Sequence, residues 1–150
     1  GEPLASTTIS LFREATQAGI ATSLDASSVG ALQDWGPDES RRRLESSGAT
    51  HLFANEEETD YLGLIERPLP HATLVVKRGA GIAEVRDSDG RIVAAASAST
   101  IEGPVDTTGA GDAFAGGFIV ARARGGSWDD ALAAGHRAAG THLRHQRERS

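Results

Sequence analysis

Apolar residues at Ile9, Leu11, Phe12 and Ala15 recur at helical spacing between Leu4 and Ala18, and Gly19 ends the run. The pattern predicts an amphipathic helix. Ile20 to Leu24 is a short apolar run closed by Asp25, which predicts a buried strand. Asp25-Ala26-Ser27-Ser28 then reads as a loop at a strand's carboxyl end, where open α/β sheets receive ligands. Pro37 opens a second helix through Arg41 to Leu44, and Gly48 stops it. His51 to Ala54 predicts a very short strand. Asn55 next caps a helix whose first turn holds Glu56, Glu57 and Glu58, where negative charge suits the helix dipole.

Thr73 to Val76 is the clearest buried strand, followed by a loop at Lys77-Arg78-Gly79-Ala80-Gly81. Ile82 to Arg86 and Ile92 to Ala96 flank Asp89-Gly90, a hairpin signal. Gly111 to Arg122 predicts a helix with small residues Ala113, Gly116 and Gly117 on one face, suited to close packing. Ser127 caps a last helix from Trp128 to Leu143. Helices alternate with strands, then a hairpin and two helices follow. That order predicts an α/β fold, a layered α/β/α architecture with a mainly parallel sheet.

Composition narrows the function classes. A chain of 150 residues with 39% hydrophobic content is one domain with a real core. Its net charge of -6 and pI near 5.3 oppose nucleic acid and anionic membranes as partners. Cysteine is absent, which excludes disulfides and thiolate metal sites. No apolar run is long enough to span a bilayer and no signal peptide is visible, so a cytoplasmic protein is expected. There is also no Met, and the chain begins as if cut from something longer.

The most informative string is Asp106-Thr107-Thr108-Gly109-Ala110-Gly111-Asp112, running into Ala113-Phe114-Ala115-Gly116-Gly117-Phe118. Gly109 and Gly111 let the backbone approach a phosphate closely. The free N–H groups at the helix start, with the positive end of the dipole, then face the anion. A carboxylate at Asp112 does not help bind phosphate. It suits the other reactant, accepting a proton from an attacking hydroxyl. The plain alternative is a glycine turn and helix start with no ligand.

This string, with the helix after it, closely resembles the C-terminal signature of the ribokinase-like (PfkB) family of carbohydrate and nucleoside kinases, Asp-Thr-x-Gly-Ala-Gly-Asp. The resemblance implies ATP-dependent phosphorylation of a hydroxyl on a sugar or related small molecule. Asp112 would act as base, and Gly109, Ala110 and Gly111 as an anion hole for the transferring phosphoryl group. Asn55-Glu56-Glu57-Glu58 resembles the family's Asn-x-x-Glu element, which implies Mg²⁺ and phosphate handling by Asn55 and Glu58. Read alone, the same residues are a helix cap on a solvated helix. Lys77-Arg78-Gly79 sits where the family meets the nucleotide, which gives Lys77 and Gly79 a phosphate and ribose role; a charged turn is the alternative. His136 stands where relatives commonly have an Asn near the adenine, and also reads as a partly buried structural histidine.

The resemblance spans about Gly1 to Ala139 and covers only the C-terminal, nucleotide-binding half of a typical member. The N-terminal half and lid, which carry most sugar contacts, lie outside it. An uncovered sheet edge is therefore expected, with a homodimer, pairing with the missing half, or aggregation as its consequence. Asp106 and Thr108 match positions whose backbone is associated with a monovalent cation. The polar, basic tail from Thr141 to Ser150 lacks the other ligands, which makes a cation requirement doubtful. Two further readings stand beside the kinase: a catalytically inactive nucleotide-binding fragment, and one subunit of a split kinase. His142 and His145, three apart, are read as surface residues, as is the Arg41-Arg42-Arg43 face; Trp35 and Trp128 are read as packing residues.

Overall fold

The computed structural model describes residues 2–26, 33–78, 81–98 and 107–148. In chain order these form α1 (Glu2–Gln17), β1 (Ser23–Asp25), α2 (Pro37–Ser47), β2 (His51–Asn55), α3 (Glu56–Tyr61), β3 (Thr73–Arg78), β4 (Ile82–Arg86), β5 (Ile92–Ser97), α4 (Ala110–Ala123) and α5 (Trp128–Arg147). The strands make a five-stranded sheet in the order β1-β2-β3-β4-β5. The fold is α/β, as the alternation predicts. Two compact units divide the chain, residues 1–77 with 86–92 and residues 78–85 with 93–150. Among the described residues no helix is long and apolar enough to cross a membrane.

In the first unit β1, β2 and β3 run parallel. Leu24 pairs with Leu52, Asp25 with Phe53, Val76 with Ala54 and Lys77 with Asn55. Leu52, Phe53 and Ala54 are all buried, as are Leu74, Val75 and Val76. Both faces of these strands are covered, which is why their sequences read as continuous apolar runs. Each fully buried Leu or Phe contributes roughly 1.5–3 kcal/mol. This register aligns Asp25, Asn55 and Lys77 at the carboxyl ends of three neighbouring strands.

Four sequence expectations change here. Strand β1 starts at Ser23 rather than Ile20. The Gly19 N–H donates to the Thr16 carbonyl and the Ile20 N–H to the Ala15 carbonyl, so both residues are consumed in closing α1. Lys77 and Arg78 belong to β3 instead of a loop, because the ladder with β2 continues past the apolar run. Arg41 is not on a solvated face. It is buried, and its guanidinium donates to the carbonyls of Leu62 at 3.0 Å and Arg67 at 2.8 Å, satisfying a loop that helices and strands leave unpaired. Trp35 is half exposed, with Arg43 stacked 4.4 Å from its ring centre.

In the second unit α4 and α5 pack closely. A Cβ at Gly117 would lie 2.6 Å from the Ala134 carbonyl oxygen, and one at Gly135 would lie 2.8 Å from the Phe114 ring. Glycine at both positions is what lets the helices approach. Gly116, expected on the same face as Gly117, meets open space. Phe118 is fully buried and stacks on Trp128 at 6.2 Å, so that tryptophan is a packing residue. Ser127 and Asp130 cap each other reciprocally at the start of α5, which runs to Arg147, one turn past the expected end.

Candidate active site

The carboxyl ends of β1, β2 and β3 carry the first cluster. Asn55 is the N-cap of α3. Its side-chain oxygen accepts the Glu58 N–H at 2.8 Å, and Glu58 Oε2 accepts the Asn55 N–H at 2.9 Å. The Thr59 hydroxyl donates to the Asn55 carbonyl at 2.6 Å. The Asn-x-x-Glu element is thus a complete capping box, and both of its named residues have structural work. Glu58 is almost fully buried. Burial pushes its carboxyl above the ordinary value of 4.5. The Asn55 N–H opposes that, the Asp25 charge adds to it, and Lys77 opposes it.

Lys77 Nζ donates to Asp25 Oδ2 at 2.9 Å, both side chains being partly exposed. The lysine expected to meet phosphate is therefore ion-paired within its own cluster. Gly79, expected beside it, lies outside the described residues, as do Asp106, Ser27 and Ser28. Among the described residues no group of three or more His, Asp or Glu side chains gathers to ligate a metal. The donor set still fits Mg²⁺. That ion takes one or two carboxylates together with waters and substrate phosphates. The Asp25 carboxylate raises the cost of charging Glu58, which a divalent cation relieves.

The second cluster opens α4. Gly109 is the N-cap residue at φ 79, a left-handed conformation that glycine adopts without strain. The Ala110 N–H donates to the Thr107 carbonyl at 3.0 Å, so it closes the turn rather than facing outward. The Ala113 N–H returns to the Gly109 carbonyl, starting the helical ladder. By helix geometry the N–H groups of Gly111 and Asp112 then lack intrahelical carbonyls. Asp112 is exposed in this first turn. Backbone donors and a carboxylate thus share one helix end, as the sequence implies. Ala110 is not available as a donor in this conformation.

His136 is partly buried between α5 and its neighbours. Its Nε2 lies 3.1 Å from the Ala96 carbonyl, and its ring sits edge-on to Phe114 at 5.1 Å. His142, read as a surface residue, is partly exposed and points its Nε2 at the Thr108 carbonyl, 2.8 Å away. No local sequence signal marks that contact, because its partners stand 34 residues apart. The same holds for Lys77 and Asp25, which are 52 apart.

Known proteins match this chain in family and fold. The family model described as "pfkB family carbohydrate kinase" matches residues 31–149. The adenosine kinase of Schistosoma mansoni in complex with adenosine and AMP shares the fold with a TM-score of 0.71 at 20% identity, covering 93% of this chain and 46% of its own. A Burkholderia thailandensis nucleoside kinase in complex with inosine gives 0.70 at 26% identity, covering 92% of this chain and 46% of its own. The adenosine kinase of Sinorhizobium meliloti gives 0.77 at 26% identity, covering 89% of this chain and 42% of its own. The chain thus spans less than half the length of these solved relatives. With the Asp106–Asp112 string at the start of α4 and a family match over most of its residues, this chain belongs to the pfkB family of carbohydrate kinases.

Proposed function

We propose that this chain is the nucleotide-binding part of a kinase that transfers the γ-phosphoryl group of ATP to a hydroxyl of a sugar or nucleoside. The observation that carries the reading is the helix start at Gly109, with Asp112 exposed one turn in. Asp112 accepts the proton of the attacking hydroxyl as its oxygen bonds to phosphorus. The N–H groups of Gly109 and Gly111 face the transferring phosphoryl, and the α4 dipole adds to their effect. Lys77 and the Gly79 loop serve the nucleotide phosphates, which requires Lys77 to exchange Asp25 for phosphate. Asn55, Glu58 and Asp25 hold the Mg²⁺ end through water. Bound there, the ion would neutralise charge on the nucleotide phosphates.

A nucleoside ranks first as acceptor, because the solved relatives are adenosine and nucleoside kinases, one of them in complex with adenosine and another with inosine. The polar, basic tail from Thr141 lacks the other ligands of a monovalent-cation site, which supports turnover without such a cation; equal rates in potassium and choline chloride are expected. Exposed Ile82 and Val93 support pairing with an N-terminal half or a second copy, checked by sedimentation. A cytoplasmic location completes the reading. ADP release measured with ATP, Mg²⁺ and a panel of adenosine, inosine, ribose and fructose tests it. Release with one acceptor supports it. Nucleotide binding without release on any acceptor would favour the inactive alternative, which the Lys77–Asp25 ion pair also suits.

A further inference from the structure

We propose that His142 is a positioning residue for phosphoryl transfer, holding the Thr108–Gly109 peptide so that the Gly109 N–H is aimed for the incoming phosphoryl group. The proposal rests on the kinase reading above. His142 Nε2 lies 2.8 Å from the Thr108 carbonyl oxygen. A carbonyl can only accept, so the ring nitrogen carries the proton and donates it. Gln146 comes within 3.3 Å of the same nitrogen. The nearest atom is its amide nitrogen, and a protonated ring nitrogen accepts nothing, so the amide fits beside the Thr108 bond when turned to share the ring N–H through its oxygen.

The mechanical consequence follows from the peptide group. It is planar and trans, so its carbonyl and its N–H point in opposite directions. Fixing the Thr108 oxygen on the α5 side therefore fixes the Gly109 N–H on the other side. Without such a tie the peptide could rotate cheaply, because Gly109 tolerates both positive and negative φ. The ring also covers the turn: a Cβ built at Gly109 would lie 3.0 Å from His142 Nε2 and 3.2 Å from its Cε1. His142 is well placed to do this because α5 continues to Arg147, which seats it inside a helix rather than at a frayed end. A donor oriented before the reaction costs no reorganisation during it.

The test compares His142→Ala with His142→Gln in the whole polypeptide that carries this chain. Glutamine places an amide N–H about where the imidazole Nε2–H stands. Two readouts are taken: amide hydrogen exchange across Thr108 to Asp112, and kcat and KM for ATP and acceptor. His142→Ala should speed exchange at Ala110, whose N–H bonds the Thr107 carbonyl across the same turn, and lower kcat about tenfold, the scale of one hydrogen bond, with both KM values within about twofold. His142→Gln should restore both. Unchanged exchange in His142→Ala, or a fall in affinity with kcat intact, overturns the proposal. Failure of His142→Gln to restore kcat overturns it as well. If the unsubstituted protein transfers no phosphoryl group, the kinase reading fails first and takes the catalytic role with it; the exchange data still decide whether His142 holds the turn.

Discussion

Asn55 and Glu58 cap one another: each side chain accepts the other's backbone N–H, at 2.8 and 2.9 Å. The carboxylate proposed to help hold Mg²⁺ is thereby fixed in place by the fold. The same bond leaves the acid buried, and burial is the leading cause of its raised pKa.

Glu58→Gln separates these two roles. Glutamine keeps an oxygen for the Asn55 N–H but carries no charge. Folding should survive, while the Mg²⁺ concentration for half-maximal turnover rises about tenfold or more. A pH effect accompanies it. Between the ordinary value of 4.5 and the raised one, the folded protein keeps a proton that the unfolded chain releases. Raising pH through that window therefore costs stability, and the cost persists above it. Melting temperatures in EDTA should favour Glu58→Gln increasingly as pH rises above 4.5. A constant difference across pH would remove Glu58 as the titrating group.

Gly109→Ala meets two obstacles. The φ of 79 is left-handed, costing about 1–2 kcal/mol for a residue with a Cβ. The new Cβ also presses on the His142 ring at 3.0 Å. A drop of several degrees in melting temperature is expected, with turnover largely lost. The double variant Gly109→Ala, His142→Ala should recover part of the stability but little of the turnover. Additive stability losses in the double variant would mean that the ring and the turn do not press on one another.

What could be read from the sequence was local. Gly48 ends α2 in the left-handed conformation, Asn55 and Ser127 cap helices, and Gly90 turns the β4–β5 hairpin at φ 81. Each is decided within about four residues by backbone geometry and side-chain reach. Thr107 to Asp112 was legible for the same reason, as a turn and helix start. The illegible features join distant residues. Arg41 reaches carbonyls 21 and 26 residues on, and His136 reaches back 40 residues to Ala96. Local patterning gives an arginine or a histidine its helix but not the carbonyl that tertiary packing sets against it. That is why Arg41 looked like a surface residue, and why the Asp25 partner of Lys77 was not foreseen.

Asp130 provides a second titration, with the opposite sign. Hydrogen bonds from the Ser127 hydroxyl at 2.7 Å and the Ser127 N–H at 2.9 Å hold its carboxyl below the ordinary 3.8. Its contribution is present above 3.8 and is lost as pH falls through the lowered value. Asp130→Asn should therefore lose stability at neutral pH and converge with the unsubstituted protein in acid. Since the carboxylate is exposed, the effect is small. It is best read as faster amide exchange in the first turn of α5 at pH 7, with the difference vanishing in strong acid. A difference that persists unchanged in acid would assign the loss to side-chain shape instead of charge.

Asp112→Asn tests the assignment of the base. The carboxylate is exposed in the first turn of α4, beside backbone donors that suit an anion. Asparagine keeps the shape and hydrogen-bonding reach but cannot take a proton from a hydroxyl. Loss of general-base assistance typically costs about 10²–10⁴ in rate, and kcat should fall within that range. Affinity for Mg²⁺-ATP should hold or rise slightly, because a negative charge near the phosphates is gone. Stability should drop by less than about 1 kcal/mol, since a charge that favours the helix dipole is also removed. Calorimetric titration with nucleotide, run beside single-turnover chemistry, separates these terms. A variant that binds ATP normally and still transfers phosphoryl at the original rate would leave the proton to another acceptor, and Asp112 would then be retained only as the first-turn anion of α4.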